Sequence, residues 1–135
     1  MSAPPLILRA ARMVAPHGVV DSPTLCTADG RLVDAPAPGA QTLDLDGLTL
    51  LPGFLDLHVH GGGGADTMDA TPDALRTLCR LHARHGTTGL LATTMTQSRT
   101  AIDAALAWAG AAARDGAAFC PDGAQVLGIH LEGPY

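Results

Sequence analysis

Two histidines separated by one residue close a short apolar run, FLDLHVH, at residues 54–60. Side chains two residues apart on a strand project from the same face, with a spacing of roughly 6.5 Å. His58 and His60 at this spacing can bind one metal ion, whereas histidines on a strand also form hydrogen bonds within a core or face solvent. The pair by itself leaves both interpretations open.

A glutamate closes a second apolar run, LGIHLEG, at residues 127–133. At the end of a buried strand, Glu132 would be an uncompensated charge unless a metal, a cation or hydrogen-bond donors satisfied it. A carboxylate in a water-exposed loop is the alternative. If both runs are parallel strands of one curved sheet, their carboxyl ends lie on one rim, and this convergence favours a metal site.

Two more polar side chains share faces with these candidates. By the two-residue rule, Asp56 lies on the face of His58 and His60, and His130 lies on the face of Glu132. We expect both to lie one layer deeper and to orient the ligands by hydrogen bonding. For His130, a core histidine is an equally good interpretation.

The elements that must position these residues follow a strand, helix, strand, helix, strand order from residue 52 to 135. Thr71 and Pro72 predict a helix start, and Gly86 predicts its end. A strand is expected at 87–96, a helix at about 100–114 after Ser98, and a strand at 125–132. This order predicts a parallel α/β sheet.

Residues 1–51 have a different character, with short extended segments separated by Pro- and Gly-rich turns. Asp29-Gly30 predicts a hairpin, and Asp46-Gly47 predicts a second turn between residues 42–45 and 48–51. We expect a small antiparallel β unit without functional residues.

The composition excludes several classes of function. The chain has 135 residues and a net charge of −5, and its 8 basic residues are all Arg, so nothing supplies the basic surface of a nucleic-acid-binding protein. The absence of Lys excludes a Schiff-base lysine and a carboxylated-lysine metal bridge within this stretch.

The scattered cysteines Cys26, Cys79 and Cys120 favour a reducing, cytoplasmic setting, and no apolar run reaches the roughly 18 residues of a membrane span.

Three segments together resemble the N-acetylglucosamine-6-phosphate deacetylases of the amidohydrolase superfamily. They are LPGFLDLHVHGGGGADTMDA at 51–70, GTTGLLATTMTQ at 86–97 and LGIHLEGPY at 127–135. The PGFxDxHxH pattern is common to many amidohydrolases. The HLEGP motif is more specific, because most binuclear relatives use a carboxylated Lys where this family uses the Glu.

The resemblance implies a metal-dependent (β/α)8 TIM-type barrel with a flanking β-sandwich, and a homodimer. It implies hydrolysis of the acetamide of N-acetylglucosamine 6-phosphate to glucosamine 6-phosphate and acetate. His58 and His60 would bind one divalent metal, and Glu132 would contact it and bridge to a second where two are present. Imidazole and carboxylate ligands suit Zn²⁺ or Fe²⁺.

The resemblance also implies that much of such an enzyme lies on later strands. Three strands of an eight-stranded barrel are counted here, preceded by part of a β-sandwich in residues 1–51, so the barrel is incomplete. The general acid/base and the groups that hold the sugar phosphate are expected beyond Tyr135. We therefore expect an N-terminal fragment that is inactive alone. The alternatives are another amidohydrolase, such as a cyclic-amide hydrolase or deaminase, and a metal-binding or interaction module without turnover.

Overall fold

A computed structural model describes residues 3–133, so the final Pro134 and Tyr135 of the HLEGPY segment lie outside the described residues. The fold is mixed α/β and divides into two compact units, Met1–Pro52 and Gly53–Tyr135. The change of sequence character predicted a boundary between residues 51 and 52.

The first unit is a five-stranded sheet. Its strands are β1 (Leu6–Ala15), β2 (Gly18–Asp21), β3 (Thr24–Ala28), β4 (Arg31–Val33) and β5 (Gln41–Leu50). The strand order is β2-β1-β3-β4, and β5 pairs with β1. The predicted hairpin joins β3 to β4, and Asp29 and Gly30 both have positive φ, 50° and 71°, as a two-residue hairpin turn of type I′ requires.

Two predictions for this unit are wrong. Strand β5 is parallel to β1 and not antiparallel, because the connector at 34–40 brings the chain back to the start of β1, where Leu6 pairs with Gln41. The sequence at Asp46-Gly47 does not end a strand either. Gly47 takes a positive φ of 75° inside β5, and a register shift against β1 between Ala10 and Arg12 accommodates the irregularity. Alternating side chains predict a strand but not its direction.

The second unit contains a three-stranded parallel sheet of order β10-β9-β6. Its elements are β6 (Phe54–Val59), β7 (Gly61–Gly62), β8 (Ala65–Asp66), α1 (Pro72–Arg84), β9 (Thr87–Thr93), α2 (Arg99–Asp115) and β10 (Gln125–His130), with 3₁₀ turns at Thr67–Asp69 and Gly116–Ala118. The parallel α/β arrangement is confirmed. The last two strands end two or three residues earlier than predicted. Within the part of the chain described, no helix has the length and apolar character needed to cross a membrane.

The helices form where local signals predict them and pack on one face of this sheet. The Thr71 hydroxyl accepts a hydrogen bond from the Ala74 N–H at 3.2 Å and so caps α1. Leu75, Leu78 and Cys79 of α1 are completely or almost completely buried against Leu90 of β9 and the alanines of α2. His82 of the same helix is only partly buried, and its Nε2 lies 3.2 Å from the Gly61 carbonyl oxygen.

Leu78 is a sensitive point of this core because its side chain is 0% exposed. We expect Leu78→Ala to lower the free energy of unfolding of the second unit by about 2–5 kcal/mol, through lost burial and the cavity left behind. Leu55→Ala is the matched control, since Leu55 is 62% exposed and should change stability by less than about 0.5 kcal/mol. Urea unfolding followed by circular dichroism measures both, and equal losses would contradict this account of the core.

The buried thiol of Cys79 should be chemically inert in the folded chain. Burial, with a smaller contribution from neighbouring Cys120, raises the pKa of the Cys79 thiol to about 12. At pH 8 only about one molecule in ten thousand then carries the reactive thiolate. We expect Ellman's reagent to label Cys79 only after unfolding, with Cys79→Ser leaving the native labelling count unchanged. Rapid native labelling of Cys79, identified by mass spectrometry, would contradict this expectation.

Candidate metal centre

The HVH segment reaches its position through an irregularity at the end of β6. Against β9, Asp56 pairs with Leu90 and Val59 pairs with Ala92, so three steps on β6 match two on β9. This is the geometry of a β-bulge, which redirects side chains locally. The Nε2 atoms of His58 and His60 lie 3.0 Å apart, with the two rings nearly perpendicular. The structure therefore brings the predicted histidine pair together at one point.

Glu132, the only glutamate of the chain, follows the end of β10 by two residues and reaches the same point. Its Oε2 lies 2.8 Å from Nε2 of His58 and 3.4 Å from Nε2 of His60. The side chain as a whole is 42% exposed, but Oε2 itself is buried. Among the described residues no group donates a hydrogen bond to it in a suitable direction, despite the short distances. The imidazole nitrogens lie close to Oε2, but no N–H of the described residues points at it, and in this respect the contact differs from an ordinary ion pair.

The three atoms fit a shared divalent cation. Their mutual distances are 3.0, 2.8 and 3.4 Å. Ligand atoms arranged tetrahedrally around Zn²⁺, with bonds near 2.0–2.1 Å, are about 3.3 Å from one another. A buried carboxylate oxygen that lacks a donor is also the atom that a cation would compensate. The residues present therefore suit a metal site.

His130 lies beside this cluster, and its predicted role in orienting the ligands stays a prediction. Its ring packs edge-on against His58 with centroids 4.6 Å apart, and the ligand atoms of His58, His130 and Glu132 lie within 4.8 Å of one another. Nδ1 of His130 is 3.0 Å from the Leu57 carbonyl oxygen. A carbonyl oxygen can only accept, so Nδ1 carries the proton, and Nε2 of the neutral ring keeps its lone pair.

Asp56 contacts the site through the backbone. Its Oδ1 accepts a hydrogen bond from the His58 N–H at 3.1 Å, so the carboxylate holds the main chain of the bulge and not an imidazole. The orienting role of Asp56 stays a prediction, and the contact that the structure shows is to the main chain and not to a ring.

Two threonines that no sequence motif indicated also contact the segments that carry the candidate ligands. Thr93 and Thr94 are adjacent at the end of β9, and both are 0% exposed. The Thr93 hydroxyl accepts from the Val59 N–H at 2.9 Å, and the Thr94 hydroxyl accepts from the Glu132 N–H at 3.0 Å. The signal that could have identified them is a pair of hydroxyls at the end of a strand that is otherwise apolar, because buried hydroxyls need partners.

Comparison with known proteins gives deacetylases of phosphorylated amino sugars among the relatives. The chain is 46% identical over 96 residues to the N-acetylglucosamine-6-phosphate deacetylase of Vibrio furnissii. The aligned region covers 71% of this chain and 23% of that protein. It is also 39% identical over 129 residues to the N-acetylgalactosamine-6-phosphate deacetylase of Escherichia coli O157:H7. That aligned region covers 96% of this chain and 33% of the relative. No family model matches.

Solved structures agree with these relatives. The crystal structure of N-acetyl-D-glucosamine-6-phosphate deacetylase from Mycobacterium smegmatis matches with a TM-score of 0.74 at 33% identity, over 96% of this chain and 36% of that one. The Pasteurella multocida deacetylase has a TM-score of 0.81 at 24% identity, over 97% and 35%, which supports the fold. The chain thus spans about a third or less of the proteins it matches. Over most of its sequence the chain is therefore similar to about a third of the length of N-acetylglucosamine-6-phosphate deacetylases.

Proposed function

We propose that this chain supplies the metal-binding part of a hydrolase that removes the acetyl group of N-acetylglucosamine 6-phosphate, giving glucosamine 6-phosphate and acetate. The observation that carries the proposal is the convergence of His58 Nε2, His60 Nε2 and Glu132 Oε2 within 3.4 Å of one another. The names of the relatives supply the reaction and the substrate class. A cyclic-amide hydrolase, a deaminase or a module without turnover has no comparable support.

His58, His60 and Glu132 are the proposed ligands of a divalent ion, Zn²⁺ or Fe²⁺. When bound, such an ion supplies Lewis acidity toward the acetamide carbonyl and an acidified water. Glu132 has a second carboxylate oxygen that could serve a second ion. The chain contains no Lys. Glu132 is proposed as the carboxylate ligand in place of the carboxylated lysine that most binuclear amidohydrolases use.

The other residues of the cluster prepare these ligands. Asp56 fixes the His58 backbone, and so limits how far the imidazole can move away from Glu132. The Leu57 carbonyl fixes the tautomer and ring plane of His130, whose Nε2 lone pair is available to the same site. His130 is therefore proposed as a group that orients the ligands beside it.

The proposed architecture is the first three strands of a (β/α)8 barrel, with residues 1–51 forming part of a β-sandwich. Both helices pack on one face of the parallel sheet, as in such barrels. The opposite face is apolar and accessible at Leu55, Leu57 and Leu127, which are 62%, 62% and 47% exposed, and this face would line the barrel interior. At Gly89 a Cβ would lie 2.6 Å from Leu127 Cδ1 and 3.0 Å from Leu55 Cδ2, so glycine lets these side chains close over the middle strand.

The remaining parts of the proposal concern the whole protein. The general acid/base and the phosphate-binding groups are proposed to lie outside residues 1–135, the protein to be a cytoplasmic homodimer, and the substrate to be a phosphorylated amino sugar. The relatives' names include both the gluco and the galacto epimer of the substrate. We propose the gluco epimer.

Zinc titration of the purified chain tests the metal site. We expect His58→Ala and Glu132→Gln to weaken Zn²⁺ binding by about 100-fold or more, because each removes one converging ligand. His17→Ala, which alters an exposed histidine of the first unit, is the matched control and should stay within about threefold. Isothermal titration calorimetry measures all four proteins. Affinities that are equal in the ligand variants and the control would contradict the assignment.

Acetate release tests the activity. For the protein expressed from the complete reading frame, we expect hydrolysis of N-acetylglucosamine 6-phosphate, with kcat/KM reduced by about 100-fold or more in Glu132→Gln. The 135-residue chain alone should release no acetate. The galacto epimer and a cyclic amide serve as competing substrates. Preferential hydrolysis of the cyclic amide, or activity of the short chain that is lost in His58→Ala, would contradict the proposal.

A further inference from the structure

The two adjacent threonines at the end of β9 stand between the segments that carry the proposed ligands. Strand β9 is the middle strand, with β6 on one side and β10 on the other. Thr93 and Thr94 are both 0% exposed, although they carry hydroxyls. Each hydroxyl is fully engaged with backbone groups, as a buried hydroxyl must be.

Thr93 holds the histidine segment. At the bulge of β6 the regular pairing with β9 is interrupted, and the Val59 N–H donates to the Thr93 hydroxyl at 2.9 Å. The same hydroxyl donates to the Leu91 carbonyl oxygen at 3.2 Å. Val59 lies between His58 and His60, so this single hydrogen bond fixes the peptide on which both imidazoles depend.

Thr94 holds the glutamate. The regular ladder between β10 and β9 ends with His130 paired to Thr93, and the Thr94 N–H donates to the His130 carbonyl oxygen at 3.1 Å. Beyond that point the Thr94 hydroxyl accepts from the Glu132 N–H at 3.0 Å and donates to the Glu132 carbonyl oxygen at 3.2 Å. One side chain thus replaces both ladder bonds for Glu132.

We propose that Thr93 and Thr94 are positioning residues that set the separation between the histidine pair and Glu132. Adjacent Cα atoms are held about 3.8 Å apart by the trans peptide. The two attachments are therefore linked covalently, and neither ligand segment can shift along β9 without breaking a hydroxyl bond. The inference rests on the proposed function, because it assigns the threonines to that metal site.

The test removes each hydroxyl and then restores it. Thr93→Val and Thr94→Val keep the side-chain shape and lose the hydrogen bonds, whereas Thr93→Ser and Thr94→Ser keep them. Thr87→Val is the matched control, a buried threonine at the other end of β9, paired with Phe54. Two quantities are measured in the 135-residue chain: the Zn²⁺ dissociation constant, and the hydrogen-exchange rates of the Val59 and Glu132 amides in metal-free protein.

The expected result is a dissociation constant raised about 10- to 100-fold in each Val variant, restored to within about threefold by Ser, and unchanged in Thr87→Val. Amide exchange should accelerate about tenfold or more at Val59 in Thr93→Val and at Glu132 in Thr94→Val. If a Val variant does not fold, its Ser counterpart decides, since it must retain native affinity and exchange.

Failure of this inference differs from failure of the proposed function. If the unaltered chain binds no Zn²⁺, the proposed metal site is wrong, and amide exchange alone decides the role of the threonines as positioning residues. If zinc binds but the Val variants match the unaltered chain in affinity and exchange, the threonine proposal is overturned while the site stands. An equal loss of zinc affinity in Thr87→Val would also overturn it, because the effect would then be general destabilisation of the strand.

Discussion

The close approach of the Glu132 carboxylate to the His58 and His60 imidazoles is the contact on which the candidate metal centre depends. Its Oε2 is buried without a directed hydrogen bond among the described residues. A cation bound beside that oxygen would compensate its charge. The approach is possible because β6 and β10 flank the same middle strand and end at the same edge of the sheet. A parallel sheet thus brings together groups that are distant in sequence.

Regular strand pairing does not extend to His58, His60 or Glu132. The pairing between β9 and β10 ends at Thr93 and His130. A bulge interrupts the pairing between β6 and β9 before Val59. Threonine hydroxyls then replace the missing main-chain partners on both sides. These hydrogen bonds involve only the main chain of Val59 and Glu132, so the Glu132 side chain remains available to the site.

Helix boundaries and the turn between β3 and β4 were predictable because their causes are local. Thr71 and Gly86 bound α1 as expected, since a capping hydroxyl and a positive-φ glycine act within a few residues. The pairing of β5 was not predictable in the same way, because alternation specifies a strand but not the direction of its neighbour. Asp56 contacts the His58 backbone and not a ring, which depends on the bulge, and no pattern in the run at 54–60 encodes that bulge.

The sequence by itself determined which side chains are candidates for binding a metal, His58, His60 and Glu132, and the strand and helix order that carries them to one rim. Only the tertiary structure decided how closely those atoms meet, that His130 joins them, and that Thr93 and Thr94 hold both segments. The physical reason is range: side-chain chemistry and capping are local properties, whereas a convergence within 3.4 Å depends on strand register, a bulge and buried hydrogen bonds between distant residues.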